Sequence, residues 1–280
     1  MVVSALVIVA AVLAVLASPR HRAFYLGGTA PAGTLEAREV MRRMAGKPAP
    51  AAIATRRQVL GSDAEGLRVP MSDEPPPRLP AEGVPAGWGL REFTGRADVE
   101  LVRGERNLAV HLRSARTSFA LYRDLVVSLD EFPMLAWSWK VARLPTGGDV
   151  RDGRRDDQAA QVYVVFPRWP SPRTQSHVIG YVWDTTAPVG TMLTSTKAPN
   201  VKIIVVESGP ARLGAWQRQR RNVETDYQAL FRQPPSRVGA IALMIDANDT
   251  GTTAEATIGD LMFVRPNPSE RAKTPTSMLR

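Results

Sequence analysis

The stretch Asp246–Phe263, DANDTGTTAEATIGDLMF, opens with the oxygen-rich spacing of a calcium loop and closes as an apolar strand. An EF-hand needs ligands at its first, third and fifth positions, glycine at the sixth and a bidentate Glu at the twelfth. Asp246, Asn248, Thr250 and Gly251 meet the early positions, but the twelfth is Thr257, which cannot chelate. The stretch is therefore read as strand, polar turn, strand, with Gly251 in a left-handed conformation. Simple alternation would set Asp260 beside Ile258 and Met262, where an ionised carboxylate needs a compensating partner. No cofactor is expected. A weak structural calcium ion held by Asp246, Asp249 or Asp260 stays open as the alternative.

Two further groups could carry chemistry. The segment Asp149–Asp157 holds four carboxylates beside Arg151, Arg154 and Arg155. Glycoside hydrolysis needs two carboxylates about 5–9.5 Å apart across a cleft, so Asp156 or Asp157 is the catalytic alternative. Asp156 could meet Asp184 or Asp226 in that way; exposed ion pairs in a solvated loop are the competing account. The aromatic group is LAWSWKV and IGYVWD. Trp137 and Trp139 share one strand face, as do Tyr181 and Trp183. Such faces either fill a sandwich core or stack on sugar rings. In the second case Trp139, Tyr181 and Trp183 form a platform, and Asp156, Asp157, Asp184 and Arg220 bond hydroxyls at its rim.

Several reaction classes are excluded by what is missing. The 280 residues include no cysteine, no Gly-x-Ser-x-Gly elbow, no phosphate-cradling glycine loop and no His-Glu-x-x-His. The histidines number three, and His111 and His177 stand alone in apolar runs, where a satisfied structural histidine is expected. The net charge of +9 lies mostly in the tails: residues 81–264 carry 22 basic and 20 acidic side chains. No basic groove for nucleic acid follows from that balance.

Residues 2–17, VVSALVIVAAVLAVLA, are almost uninterruptedly apolar. As a helix they span about 24 Å, a length that suits a signal peptide or a short membrane anchor. Thr34–Gly46 has the capping and charge order of a helix, and residues 47–86 hold eight prolines, as a linker or loosely docked arm would. From Trp88 onward, short runs rich in Val, Ile, Tyr, Phe and Trp recur between turn signals, with one helical segment, NVETDYQALFR. Nine or ten strands almost without crossover helices call for an antiparallel β-sandwich, most simply of jelly-roll type. Several runs are apolar on both faces, as strands covered by the other sheet or by a long loop would be. The expected division is 1–17 signal or anchor, 18–86 helix and linker, 87–264 sandwich, and 265–280 disordered tail.

Several long stretches carry a resemblance: GWGLREF (87–93), PMLAWSWKV (133–141), DDQAAQVYVVF (156–166), YVWDTTAPVGT (181–191), VVESGPARLGAWQRQRRNVETDY (205–227) and IALMIDANDTGTTAEATIGDLMF (241–263). Through them residues 87–264 resemble a bacterial family catalogued as a domain of unknown function, number 3047 in that series. The resemblance implies export and no particular activity. The family's last loop usually has Asp where this chain has Ala247 and Asn248, which weakens a metal site. A more distant likeness, through Gly259-Asp260-Leu261, is to galactose-binding-like and carbohydrate-binding jelly-roll modules.

These readings converge on a non-catalytic, envelope-associated binding module. Its expected partner is a saccharide or cell-wall polymer, and its expected contact with membrane is through the N-terminal segment alone. A carboxylate-based glycan hydrolase or lyase, and a structural envelope protein without a small ligand, are the alternatives. A reporter active only outside the cytoplasm, fused after Arg280, should be active. Activity from a cytoplasm-specific reporter alone would reverse the assignment, Arg20 and Arg22 then setting the orientation.

Overall fold

The structure, a computed structural model, describes residues 62–63, 66–168 and 175–267. The chain divides into units at 1–48 and 49–280, and every described residue lies in the second. The apolar segment 2–17 and the expected helix at 34–46 lie outside the described residues. Among those described, no helix is long and apolar enough to cross a membrane.

The strands, in chain order, begin with β1 (Ser62–Asp63), β2 (Gly66–Arg68), β3 (Ala81–Glu82), β4 (Gly89–Thr94) and β5 (Asp98–Arg103). Then follow β6 (Leu108–Ala115), β7 (Ser118–Val127), β8 (Met134–Arg143), β9 (Ala160–Phe166) and β10 (His177–Asp184). The last are β11 (Met192–Thr194), β12 (Val201–Ser208), β13 (Gln217–Asn222), β14 (Val238–Asp246) and β15 (Thr253–Val264), with helix α1 (Val223–Phe231) after β13. They form two sheets, a β-sandwich of the jelly-roll type expected. One sheet runs β1-β2-β15-β6-β5-β3, with β8 on β15 and β13 on β8; the other runs β11-β12-β10-β9-β14-β7-β4. The second sheet is mixed, because β10 and β12 are parallel.

The core between the sheets follows from period-two burial. Leu135, Trp137, Trp139 and Val141 point inward from β8, while Ile179, Tyr181 and Trp183 do so from β10. Trp137 meets Trp139 edge to face at 5.4 Å and Tyr181 at 5.3 Å, and Trp139 lies 6.1 Å from Trp183. Such aromatic pairs add about 0.5–1.5 kcal/mol each beyond their buried area. Helix α1 starts as its sequence indicates: the Asn222 side chain accepts from the Thr225 N–H at 2.9 Å, and Val223 and Tyr227 are buried.

Three expectations need correction. The strand–turn–strand read at 246–263 is not a hairpin: the turn after Asp246 carries the chain from β14 in one sheet to β15 in the other. In β15 the alternation breaks at a bulge between Gly259 and Met262, so Leu261 turns into the core instead of facing away from Ile258. Asp260 takes φ +53° there, and its carboxylate accepts from Asn107 (2.7 Å) and Ser138 (2.9 Å) rather than lying against Ile258 and Met262.

The third correction concerns the supposed linker. From residue 66 it is part of the fold: β2 pairs with β15, Leu67, Val69 and Met71 are buried, and Asp73 pairs with the buried Arg123. The start of the folded unit therefore lies well before residue 87. Removing three such side chains forfeits about 1.5–3 kcal/mol apiece. A truncated chain starting at Trp88 should melt about 10 °C or more below one starting at Ser62. Equal midpoints would show that residues 62–87 only decorate the sandwich.

Candidate functional site

The expected sugar platform is core. Trp139, Tyr181 and Trp183 are each 0 % exposed, so no ligand stacks on them. The Tyr181 hydroxyl donates to Asp226 (2.9 Å), which also takes a two-point ion pair from Arg221; Trp183 Nε1 donates to the Gly209 carbonyl at 3.1 Å. Arg220 donates to the Arg265 carbonyl and ties down the end of the last strand.

The carboxylates expected at the rim are mostly structural acceptors. Asp184 is buried and takes N–H groups from Val150, Thr186 and Ala187 at 2.9, 2.8 and 2.6 Å. Asp157 is buried too, and holds the 246–253 turn by accepting from the N–H groups of Asp249 (3.1 Å) and Thr250 (2.6 Å). Asp156 accepts from Gln158 Nε2 at 3.0 Å and from Thr196 at 3.4 Å, and burial raises its pKa. It is brought neither to Asp184 nor to Asp226, each of which has the separate partners just given. Asp152 pairs with Arg155 in the open, as the ion-pair account has it, whereas Asp149, paired with Arg151, is buried.

Asp246, Asp249 and Asp260 do not converge on a cation. Asp246 is buried and accepts from the Gln158 N–H (2.7 Å) and Gln161 Nε2 (2.9 Å); Asp249 pairs with Lys197; Asp260 lies in the other sheet. Among the described residues no three His, Asp or Glu side chains are placed to hold a metal ion. Gly251 has φ +65°, the left-handed turn residue expected.

An open groove of about 660 Å³ crosses the outer face of the β8-containing sheet. Its wall is the proline-rich strap Pro76–Pro80, and its floor comes from β5, β6, β15 and β8. Register sets Glu100, His111, Thr257 and Lys140 in one cross-strand row, each facing away from the core. His111 Nδ1 lies 2.9 Å from Thr257 Oγ1, and His111 Nε2 lies 3.3 Å from a Glu255 carboxylate oxygen. Burial lowers the His111 pKa, with Glu255 opposing, which favours the neutral ring. Arg113 donates to both Asp98 and Glu100, and that hydrogen bonding holds the Glu100 carboxyl below its ordinary range. At the far end of the row, Lys140 Nζ lies over the Trp216 ring at 5.5 Å.

Sequence reading missed all of this row. The only signal was clean polar–apolar alternation in DVELVR, AVHLRS and EATIG, which puts Glu100, His111 and Thr257 on one outward face. His111, expected as a satisfied strand histidine, is bonded on both nitrogens yet sits in the groove floor.

A family model described as protein of unknown function (DUF3047) matches residues 86–262. The chain belongs to this family. The strap that walls the groove precedes the part matched to DUF3047, while the floor lies within it. No curated protein sequence matches the chain. Among solved structures, the fold is similar to the xyloglucanase domain of NopAA, a type three effector from Sinorhizobium fredii solved with cellobiose. Identity there is 10 %, the TM-score 0.39, with 66 % of this chain and 96 % of that one covered. It is also similar to a carbohydrate-binding module of the β-sandwich superfamily (12 %, TM-score 0.35, 64 % and 57 % covered). A third is the family 11 xylanase from Neocallimastix patriciarum (11 %, TM-score 0.33, 64 % and 91 % covered). These likenesses are remote, and the account of the site rests on this chain's own residues.

Asp246 offers a test of the buried cluster beside that groove's opposite sheet. Burial raises its pKa well above 3.8, so the neutral form is favoured in the fold. Its stabilising contribution is then complete below 3.8 and is lost as pH rises through the folded value. Asp246→Asn keeps an oxygen for Gln158 and Gln161 and removes that loss. Its melting temperature should match wild type near about pH 4 and exceed it by a few degrees near about pH 8. A constant deficit at every pH would mean that the ionised carboxylate is required.

Proposed function

We propose that this DUF3047 chain is a non-catalytic saccharide-binding module of the cell envelope, held there through residues 2–17. The observation that carries the reading is the polar row Glu100–His111–Thr257–Lys140 lying along the floor of the groove. Sugar hydroxyls need several donors and acceptors fixed in one plane, and side chains on neighbouring strands supply them about 4.8 Å apart. The groove volume falls within the roughly 300–1,000 Å³ of small-ligand sites. Leu79, Val102 and the strap prolines give the apolar surface that sugar C–H faces prefer.

Binding is favoured over hydrolysis by the state of the groove carboxylates. A glycosidase acid must hold its proton near neutral pH, which requires a raised pKa. Glu100 is shifted the other way by Arg113. Asp156, whose pKa is raised, lies beneath Thr196 and Lys197 in the loop before β9 of the other sheet. Neither Asp156 nor Asp157 faces another carboxylate across the groove.

A glycan array probed with the full-length protein should show saccharide binding. Ala142→Trp, at an exposed floor position, should lower that affinity about tenfold or more by filling the groove. Reducing-end assays on bound glycans should stay at background. Array binding unchanged by Ala142→Trp would move the site elsewhere, and release of new reducing ends would make the protein a hydrolase.

A further inference from the structure

Three cations line the groove without an anionic partner among the described residues. Arg78 on the strap, Arg103 at the end of β5 and Lys140 on β8 all line it. None makes an ion pair with a described residue, and Lys140 has only the Trp216 ring. Of the groove's two carboxylates, Glu100 is paired with Arg113, while Glu255 lies 3.3 Å from the His111 ring and keeps its charge. Residues 81–264 are almost neutral in sum, with 22 basic and 20 acidic side chains. Uncompensated positive charge collected in one groove is therefore a local feature and not an overflow of a basic surface.

Building the groove from the residues sharpens the point. Arg113 reaches two acids at once, at 2.9 Å to Asp98 and 2.7 Å to Glu100, so the β5 carboxylate that lines the groove, Glu100, is paired from within the sheet. Three cations, Arg78, Arg103 and Lys140, then face the single Glu255 carboxylate, and the excess is positive. Arginine in particular presents paired donors that match a carboxylate in two-point geometry.

Spacing then narrows the ligand. The order β5-β6-β15-β8 puts three strand steps between Arg103 and Lys140, about 14 Å at roughly 4.8 Å per step. Arg78 stands on a separate wall. One small anion cannot touch cations so far apart, whereas a chain with a carboxylate on successive sugar units can. Between the cations, the floor offers His111 and Thr257 to hydroxyls.

We infer that the groove is selective for an acidic saccharide, a polymer of uronic acid units, with Arg78, Arg103 and Lys140 taking its carboxylates. This rests on the saccharide-binding reading above and adds the class of sugar to it. Part of the affinity is electrostatic and weakens as salt rises.

The test uses full-length protein and titration calorimetry with three probes: an oligogalacturonate, the same oligomer with its carboxyls reduced to alcohols, and inorganic polyphosphate. The oligogalacturonate should bind at least about tenfold more tightly than the reduced oligomer. Arg78→Gln combined with Arg103→Gln, both outside the hydroxyl-binding row, should remove most of that difference, leaving the weaker binding of the reduced oligomer and the melting temperature unchanged. Equal affinity for acidic and reduced oligomers would overturn the inference while leaving saccharide binding intact. Failure of both oligomers to bind would overturn the saccharide reading itself. Polyphosphate binding as tightly as oligogalacturonate would reduce the groove to a general anion site and also sink the inference.

Discussion

The structure depends on one contact above others, the aromatic block between the sheets. Two sheets pack about 10 Å apart, a gap that only large side chains fill. Trp137 and Trp139 from one sheet and Tyr181 and Trp183 from the other do so at the centre. Among the described residues neither Trp137 Nε1 nor Trp139 Nε1 has a hydrogen-bond acceptor. Their near-perpendicular arrangement, 85° between planes, offsets part of that cost by setting a positive ring edge against a negative ring face. Once Trp137 and Trp139 point inward, Ser138 and Lys140 must point outward. The position of Lys140 in the groove is thus a consequence of core packing.

A second constraint follows from the bulge in β15. Asp260 and Leu261 together oppose Trp137, since Gly259 pairs with Ser138 and Met262 with Ala136. The extra residue lets Ile258, Leu261 and Phe263 all be buried, which strict alternation forbids. Asp260 accepts the strained left-handed backbone and is held by Ser138 and Asn107. Its role is to fix a change of register, and the carboxylate has no need of a cation to do so.

How much of this was legible in the sequence divides along range. The strands, the sandwich and α1 with its Asn222 cap are local patterns, and the residues announce them. Apolar-on-both-faces runs such as AQVYVVF and VKIIVV also read correctly. Val182, Ile203 and Val205 turn away from the core and pack with Val150 and Ala187 from covering loops. The polar assignments failed because their partners are distant in sequence. Asp157 bonds N–H groups some ninety residues on, and Asp184 reaches back 34 residues to Val150. A run such as DGRRDDQ reads as solvated charge when only its own neighbours are considered. The strap failed for the same reason: proline density signals an absence of regular structure, and does not reveal that Val69 and Met71 find the core.

The same distinction explains why the two sheets differ in what they can offer a ligand. Loops cover part of the outer face of the β9–β10–β12 sheet, so its carboxylates lie under side chains, and burial raises the pKa values of Asp156 and Asp246. A ligand arriving there would have to displace packed protein before meeting a single polar group. On the β8-containing sheet, the strap walls the outer face without closing it, and the strands alternate polar and apolar as a solvated sheet does. Glu100, His111, Thr257 and Lys140 are held in place by backbone pairing from below, and the groove above them is open. Rigid polar groups beside open space bind a hydroxylated polymer at little reordering cost. Clean alternation in a sandwich strand therefore carries more functional information here than any cluster of charges along the chain.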